Sequence, residues 1–310
     1  MITTVTINPA FDKTVYVYGL KVGDTNRVEK TEVDTGGKGI NASRMLAELG
    51  AETTALGFVG GRTGRFIETV LNEDGIKSDF VHTKAETRTN IAIEDLGCVP
   101  PTTINEKGGP ITPEELEHLK EKVKHWAKKS RIMVFGGSIP LEVEPAIYHD
   151  LTRIAQAEGA RVILDADNKA LELGIEAHPM MIKPNVDEAE RLCGRELKDV
   201  SDVADAAMNL VNNRGLEIVV VSMGSRGVVA ATRGEVWQAI PPEVKAISTV
   251  GSGDSMVAGI AIALADGKPL SEGLALGTAA GAATAMSSGV EMGKKEDVDR
   301  LLPKVVLKRI

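Results

Sequence analysis

Residues 251–255 read Gly251-Ser252-Gly253-Asp254-Ser255 and run directly into the apolar stretch 256–264. Two glycines and a small hydroxyl residue ahead of a carboxylate predict a turn that bares backbone N–H groups at a helix N-terminus. The helix dipole also favours an anion there. Asp254 cannot be that anion's partner, because it would repel it. It fits a proton acceptor beside a phosphoryl group held by the amides of Gly251, Ser252 and Gly253. An anion hole next to a base is what phosphoryl transfer to an alcohol requires. The competing reading of Asp254 is a stabilising helix cap.

A second helix start has a related composition, Thr35-Gly36-Gly37-Lys38-Gly39-Ile40-Asn41. Its glycines would let a ligand approach the backbone, and Asn41 could both donate to and accept from a hydroxyl. A flexible loop before an amphipathic helix is the alternative. No Ser or Thr follows Lys38 as a Walker A loop requires. Asp12, placed by the pattern at the end of the first strand, could accept two sugar hydroxyls or close an Asx turn. Arg88 could fork onto a phosphate, as could Arg27, though lone arginines are commonly solvated. Asn185 and Glu188, in Lys183-Pro184-Asn185-Val186-Asp187-Glu188, share one side of a helix start. That oxygen pair suits Mg²⁺, which keeps most of its waters, and equally suits a capping box; the two roles are compatible. Ser222-Met223-Gly224-Ser225-Arg226-Gly227 is either a phosphate-touching turn or a hairpin. The five histidines are scattered and form no zinc-ligand spacing or Ser/His/Asp pattern.

The elements that must carry these residues follow from periodicity and punctuation. Strands are expected at 2–8, 14–20, 27–34, 53–59, 90–95, 131–135, 161–165, 180–182 and 218–221. Residues 228–231 and 236–240 predict a hairpin, and 97–101 a turn. Helices are expected at 40–49, 62–74, 113–129 (capped by Thr112), 144–158 and 202–213, then as two successive helices after Gly251. Alternating strand and helix imply a doubly wound, mostly parallel α/β sheet. Ligands in such sheets lie at the carboxyl ends of the strands. Gly136-Gly137-Ser138, Asp165, Lys183-Pro184-Asn185 and Ser222-Met223-Gly224 all follow strands. The strand-rich stretches around 13–34 and 88–106 lack crossover helices and predict a small separate β-sheet, a lid on one 310-residue domain.

Bulk composition narrows the class. The 310 residues carry a formal net charge of −8, which argues against nucleic-acid or anionic-membrane partners. The Ala/Gly-rich stretch 273–286 reads as a helix packed closely inside the domain, not a membrane span. The two cysteines, Cys98 and Cys193, have no metal-ligand spacing and fit a reducing, cytoplasmic setting.

Taken together, Gly36-Gly37-Lys38-Gly39-Ile40-Asn41 and Ser248-Thr249-Val250-Gly251-Ser252-Gly253-Asp254-Ser255 resemble the two signatures of the PfkB carbohydrate kinases, which have the ribokinase-like fold. Asn8-Pro9-Ala10 with Asp12, Thr87-Arg88, Gly137-Ser138-Ile139-Pro140, Lys183-Pro184-Asn185 with Glu188 and Ser222-Met223-Gly224 extend the resemblance nearly end to end. It is strongest to the phosphosugar branch. Asn8-Pro9-Ala10, the Gly-Lys-Gly form of the first signature and Ile104-Asn105-Glu106 lean towards members acting on fructose 1-phosphate.

The resemblance implies ATP- and Mg²⁺-dependent phosphorylation of a ketohexose phosphate, chiefly fructose 1-phosphate to fructose 1,6-bisphosphate. Tagatose 6-phosphate and fructose 6-phosphate are the alternative acceptors, and a non-catalytic phosphosugar-binding regulator is the alternative of another class. It implies Asp254 as base and Gly251, Ser252 and Gly253 as the hole. Asp12, Gly37, Lys38 and Asn41 would hold the sugar, and Arg88, Ser138 and Arg27 its phosphate or nearby hydroxyls. Lys183, Asn185, Ser222, Gly224 and Gly227 would serve the nucleotide, with Asn185 and Glu188 at the metal. A homodimer through the β lid is also implied. The chain departs from the pattern at Ala166-Asp167-Asn168, at Gly97–Pro101, and at Ser287-Ser288-Gly289-Val290-Glu291, where relatives bind a monovalent cation.

Overall fold

The computed structural model describes residues 1–97, 99–289 and 291–310. Cys98, in the expected turn at 97–101, and Val290, in the divergent segment 287–291, lie outside the described residues. Along the chain the strands are β1 (Ile2–Thr6), β2 (Ala10–Val17), β3 (Lys30–Gly36), β4 (Thr53–Gly60), β5 (Lys77–Ser78), β6 (Val81–Thr83), β7 (Arg88–Asp95), β8 (Val99–Asn105), β9 (Ile132–Gly137), β10 (Arg161–Ala166), β11 (Met181–Ile182), β12 (Ile218–Ser222), β13 (Val228–Ala231), β14 (Val236–Ile240) and β15 (Val306–Arg309). The α-helices are α1 (Lys38–Glu48), α2 (Gly61–Glu73), α3 (Pro113–Ala127), α4 (Ile147–Ala157), α5 (Asn168–Ile175), α6 (Val186–Cys193), α7 (Val200–Arg214), α8 (Ser252–Ala265), α9 (Leu270–Ala285) and α10 (Lys295–Leu301).

The large sheet runs β15-β14-β13-β12-β11-β10-β9-β1-β4-β5, with β6 also on β4. From β12 to β5 the pairs are parallel, and β13 to β15 finish one edge antiparallel. Alternation along each strand splits the core into two layers. In β9, Met133 and Phe135 belong to the core layer that α3, α4 and α7 also fill, while Ile132 and Val134 belong to the layer filled by α8 and α9. The expected doubly wound α/β architecture therefore forms. β1 is buried on both faces although it carries three threonines. Their hydroxyls are all engaged: Thr3 Oγ1 with Ser130 Oγ at 2.7 Å, Thr4 Oγ1 with Ser43 Oγ at 2.8 Å, and Thr6 Oγ1 accepting from the Ile40 N–H at 3.0 Å.

The second sheet, β3-β2-β7-β8, is the separate sheet expected from the early strand-rich stretches. Arg44 on α1 pins it to the body by reaching Asp34 and Asp74, each at 2.9 Å. Phe11 meets Phe66 of α2 edge-on, with ring centroids 4.9 Å apart. β2 begins at Ala10, not at residue 14, because Ala10 already pairs with Gly36 and Arg88. Asp12 thus belongs to this sheet and not to the end of β1. β8 forms where a turn was expected over 97–101; it is an edge strand, the one position where prolines are tolerated in a sheet. The short β5, β6 and β15 and the helices α5 and α10 also escaped the pattern. Two- to four-residue strands are created by pairing at a sheet edge, which leaves no local signature.

The Ala/Gly-rich α9 packs against α8 as the sequence suggested. A methyl group on Gly259 would lie 2.6 Å from Gly277 Cα. Among the described residues no helix is long and apolar enough to cross a membrane.

Candidate active site

The helix starts at α1 and α8 face each other at the carboxyl end of β1. Asn41, in the first turn of α1, donates from Nδ2 to Asp254 Oδ2 at 2.8 Å. Asp254, in the first turn of α8, is buried. Its carboxyl is pushed up to about 6, first by burial and then by the charge of Asp165, against the Asn41 hydrogen bond and the lysines Lys38 and Lys183. Asn41 Oδ1 is buried with no partner among the described residues, which leaves an acceptor for a ligand hydroxyl.

Gly251 stands at the N-cap of α8 in the left-handed region, at φ 76°. The Ser252 N–H is already drawn to Thr249 O at 3.3 Å, so this expected member of the anion hole is engaged. Its hydroxyl is buried and unpartnered among the described residues. A methyl group on Gly253 would sit 3.4 Å from Lys183 Nζ. An ammonium therefore lies over the turn that Gly253 opens, where the helix dipole already favours an anion.

Lys183 is buried and pairs with Asp165 Oδ2 at 3.0 Å. Lys38 reaches Asp165 Oδ1 at 2.9 Å and Asp167 Oδ1 at 2.7 Å. Burial alone would raise Asp165; the two lysines outweigh it and hold the carboxylate below its ordinary range. The ammonium of Lys38, expected on the sugar, gives two of its three N–H groups to carboxylates and keeps one. Asp165 was legible only as a strand-end carboxylate. Its role as a bridge between lysines from two other strand ends depends on the sheet order. Asp167 is half-buried and supplies the outer arm of the cluster.

The glycines of the first signature have a structural task. A methyl on Gly37 would lie 2.6 Å from Thr6 Cγ2, and one on Gly39 would lie 2.5 Å from Thr6 Oγ1. They let α1 press onto β1, where Thr6 caps it in place of a side chain from Gly37. The Cβ side of Gly37 is thus filled by Thr6, and any ligand contact there would be through its backbone.

A second group gathers around Asn8. Its Nδ2 donates to Ser138 Oγ at 3.0 Å, and its carbonyl accepts from Arg88 Nε at 3.2 Å. Arg88 Nη1 donates to Glu106 O at 3.0 Å, which leaves Nη2 as its unengaged nitrogen among the described residues. Asp12 lies on the same second sheet and accepts from Asn90 Nδ2 at 2.8 Å; burial holds its carboxyl above the ordinary range. Arg27 is not brought in: it is exposed on the loop between β2 and β3 and makes no hydrogen bond among the described residues.

On the other side, Asn185 caps α6. Its side chain accepts from the Glu188 N–H at 2.8 Å, and Glu188 Oε2 accepts from the Asn185 N–H at 2.8 Å. The capping box takes up one lone pair of Asn185 Oδ1 and leaves the other, so capping α6 does not by itself bar Asn185 from a metal or its waters. Glu188 keeps one carboxyl oxygen, and burial raises its carboxyl. Among the described residues no cluster of three or more His, Cys, Asp or Glu could cage a metal. One spare carboxylate oxygen fits only a Mg²⁺ that retains most of its waters. Ser222 ends β12 beside Asn185, its N–H on Pro184 O at 2.9 Å, and Gly224 faces open space. A methyl group on Gly227 would run into Ala239 O of β14 and Pro241 beyond it, so packing already demands glycine there.

The family model for the pfkB family carbohydrate kinases matches residues 6–296. The chain belongs to the pfkB carbohydrate kinase family. Within that family it is 36% identical over 310 residues, the whole of both chains, to the 1-phosphofructokinase of Bacillus subtilis. It is 36% identical over 267 residues, 85% of each chain, to the tagatose-6-phosphate kinase of Staphylococcus epidermidis. Among solved structures it is similar to Escherichia coli phosphofructokinase-2 in complex with substrates and products, with a TM-score of 0.93, 30% identity and 98% of each chain covered. Membership of the pfkB family makes the chain a sugar kinase, and the opposed helix starts of α1 and α8 are its two signatures.

Proposed function

We propose that this kinase moves the γ-phosphoryl group of ATP to a ketohexose phosphate, and that the acceptor is the 6-hydroxyl of fructose 1-phosphate. The observation that carries this is the buried Asp254 carboxyl, held through Oδ2 by Asn41 at the mouth of the α8 N-terminus. Oδ1 is then the oxygen that takes the hydroxyl proton as the alcohol attacks phosphorus. The amides at Gly251 and Gly253 and the Lys183 ammonium take up charge on the phosphoryl oxygens. Asn41 Oδ1 and Asp12 orient sugar hydroxyls, and Arg88 Nη2 meets the substrate phosphate. Mg²⁺ held through water on Glu188 would neutralise the donor's phosphates. Positioning and electrostatics supply most of the acceleration.

The lean to fructose 1-phosphate rests on relatives of that name matching the full length. A tagatose-6-phosphate acceptor is the second reading, favoured by an equally identical relative over a shorter span. ADP release measured across fructose 1-phosphate, fructose 6-phosphate and tagatose 6-phosphate decides between them. Tight phosphosugar binding with no ADP formed would favour the regulator reading; the intact Asp254 turn argues against it.

The second sheet serves as a lid over the sugar, excluding water from the transfer. Its polar row Asp34–Asp12–Asn90–Asn105 lies on one face. The alternate row Val33–Lys13–Ile91–Ile104 lies on the other, with Val33 and Ile104 exposed. Two exposed aliphatic side chains flanking Lys13 and Ile91 on this face support a homodimer formed lid to lid. A cytoplasmic setting is consistent with an ATP-using metabolic enzyme.

A further inference from the structure

We propose that Met292 is a positioning residue for the phosphoryl hole, holding Gly251 in the left-handed turn that opens α8. The proposal rests on the kinase reading above. No side chain caps α8, and Gly251 has the greatest backbone freedom of any residue type. The group that confines it comes from beyond the end of α9. A methyl on Gly251 would lie 2.7 Å from Met292 Cε, and 3.6 Å from both Met292 Sδ and Thr284 Cγ2.

The thioether is itself tied down. Ser255 Oγ donates to Met292 Sδ at 3.7 Å. Ser255 Oγ and Thr284 Oγ1 are 2.7 Å apart, and Thr284 Oγ1 accepts from the Gly293 N–H at 3.0 Å. One direction satisfies every group: Gly293 N–H to Thr284, Thr284 hydroxyl to Ser255, Ser255 hydroxyl to sulfur. Ser255 and Thr284 are at most 1% exposed and Met292 is 7% exposed. The chain approaching the hole is bound to the same place, since the Ile247 and Ser248 N–H groups both donate to Ala285 O, at 2.7 and 3.3 Å. The hole is therefore clamped from both sides onto the end of α9, and Met292 is the part of the clamp that touches Gly251. A flexible, polarisable thioether suits the irregular gap between two glycine-rich turns.

Hole amides act only if they sit within tenths of an ångström of the migrating phosphoryl oxygens, and misplacement by about 1 Å can cost roughly 100-fold in rate. Truncating Met292 releases Gly251 without touching either substrate. The test compares wild type, Met292→Ala and Met292→Leu, well below the melting temperature of each. The measurements are steady-state kinetics, ADP affinity, and affinity for ADP with aluminium fluoride and fructose 1-phosphate, a mimic of the transferring phosphoryl group.

Met292→Ala is expected to lose roughly 10- to 100-fold in kcat and a matching amount in affinity for the aluminium fluoride complex. Its sugar-phosphate KM and its affinity for ADP alone should stay within about twofold, and Met292→Leu should recover most of the loss. Met292→Val carries the same test should Met292→Ala not fold. Wild-type kcat and wild-type aluminium fluoride affinity in the truncated variant, even with a lowered melting temperature, would overturn the assignment. So would an equal weakening of ADP alone. A wild-type protein that neither turns over fructose 1-phosphate nor forms the aluminium fluoride complex with it would instead refute fructose 1-phosphate as the acceptor.

Discussion

Asn41 Nδ2 donates to Asp254 Oδ2 at 2.8 Å across 213 residues of chain, and so locks the first turn of α1 to the first turn of α8. The bond takes up one carboxyl oxygen and leaves the other for chemistry. It also favours the ionised carboxyl in a place where burial opposes it.

Asp254→Asn should retain ATP and sugar-phosphate binding while turnover falls by roughly 10²–10⁴. The amide can keep the Asn41 contact but cannot take a proton. Binding by calorimetry beside steady-state assays checks this, and near-normal turnover would end the assignment of Asp254 as base.

The pH dependence follows from the same carboxyl. A base held at about 6 predicts kcat/KM rising with pH through that value and levelling above it. A sugar phosphate also titrates near 6, so the diagnostic is a displacement. Asn41→Ala removes a hydrogen bond that favours the charged form. Its acid limb should move to higher pH, and turnover at neutral pH should fall about tenfold through lost orientation. An unmoved limb would show that Asn41 does not act on the base.

Stability should respond to Asp254 in the opposite sense to activity. The native carboxyl titrates at about 6, above its ordinary value of 3.8, so the folded state binds more protons across that window. Stability therefore falls as pH rises through it, and above it the buried charge costs roughly 2–3 kcal/mol. Asp254→Asn should raise the melting temperature at pH 8 and lose that advantage near pH 4. Equal melting temperatures at both pH values would contradict the burial argument.

Ile104 and Val33 share a register row on the outer face of the second sheet and are 55% and 47% exposed. If that face is the dimer contact, Ile104→Lys should shift the protein to monomers in analytical ultracentrifugation and raise the sugar-phosphate KM while leaving the melting temperature nearly unchanged. A variant that stays dimeric places the interface elsewhere.

Much of the scaffold was readable because its signals are local. Thr112 caps α3 as its position before the helix announced, and the structure adds Glu115 as the partner that completes a capping box. The hairpin of β13 and β14 pairs Ala231 with Val236 across the turn at 233–234, as expected. The two glycine-rich helix starts stand where they were placed. What was misread shares one cause. Asp12 was placed at the end of β1 by its position just after that strand, yet the pairing of Ala10 with Gly36 and Arg88 draws that stretch into another sheet. At Gly37 the sequence announced a close approach, and only the fold shows that Thr6 is what lies on its Cβ side.

The sequence by itself determined where chemistry could sit: a carboxylate behind a glycine turn, a Lys-bearing helix start, and carboxylates and amides after buried strands. Caps, turns and periodicity depend on residues within a few positions of one another, so one chain suffices to read them. Only the tertiary structure decided that Asn41 holds Asp254, that Lys38 and Lys183 converge on Asp165, and that Met292 braces Gly251. Those partners come from elements tens to hundreds of residues apart, brought together by the order β10-β9-β1 and the packing of α8 on α9. Side-chain pairing decays over a few ångströms, a distance that sequence separation does not encode.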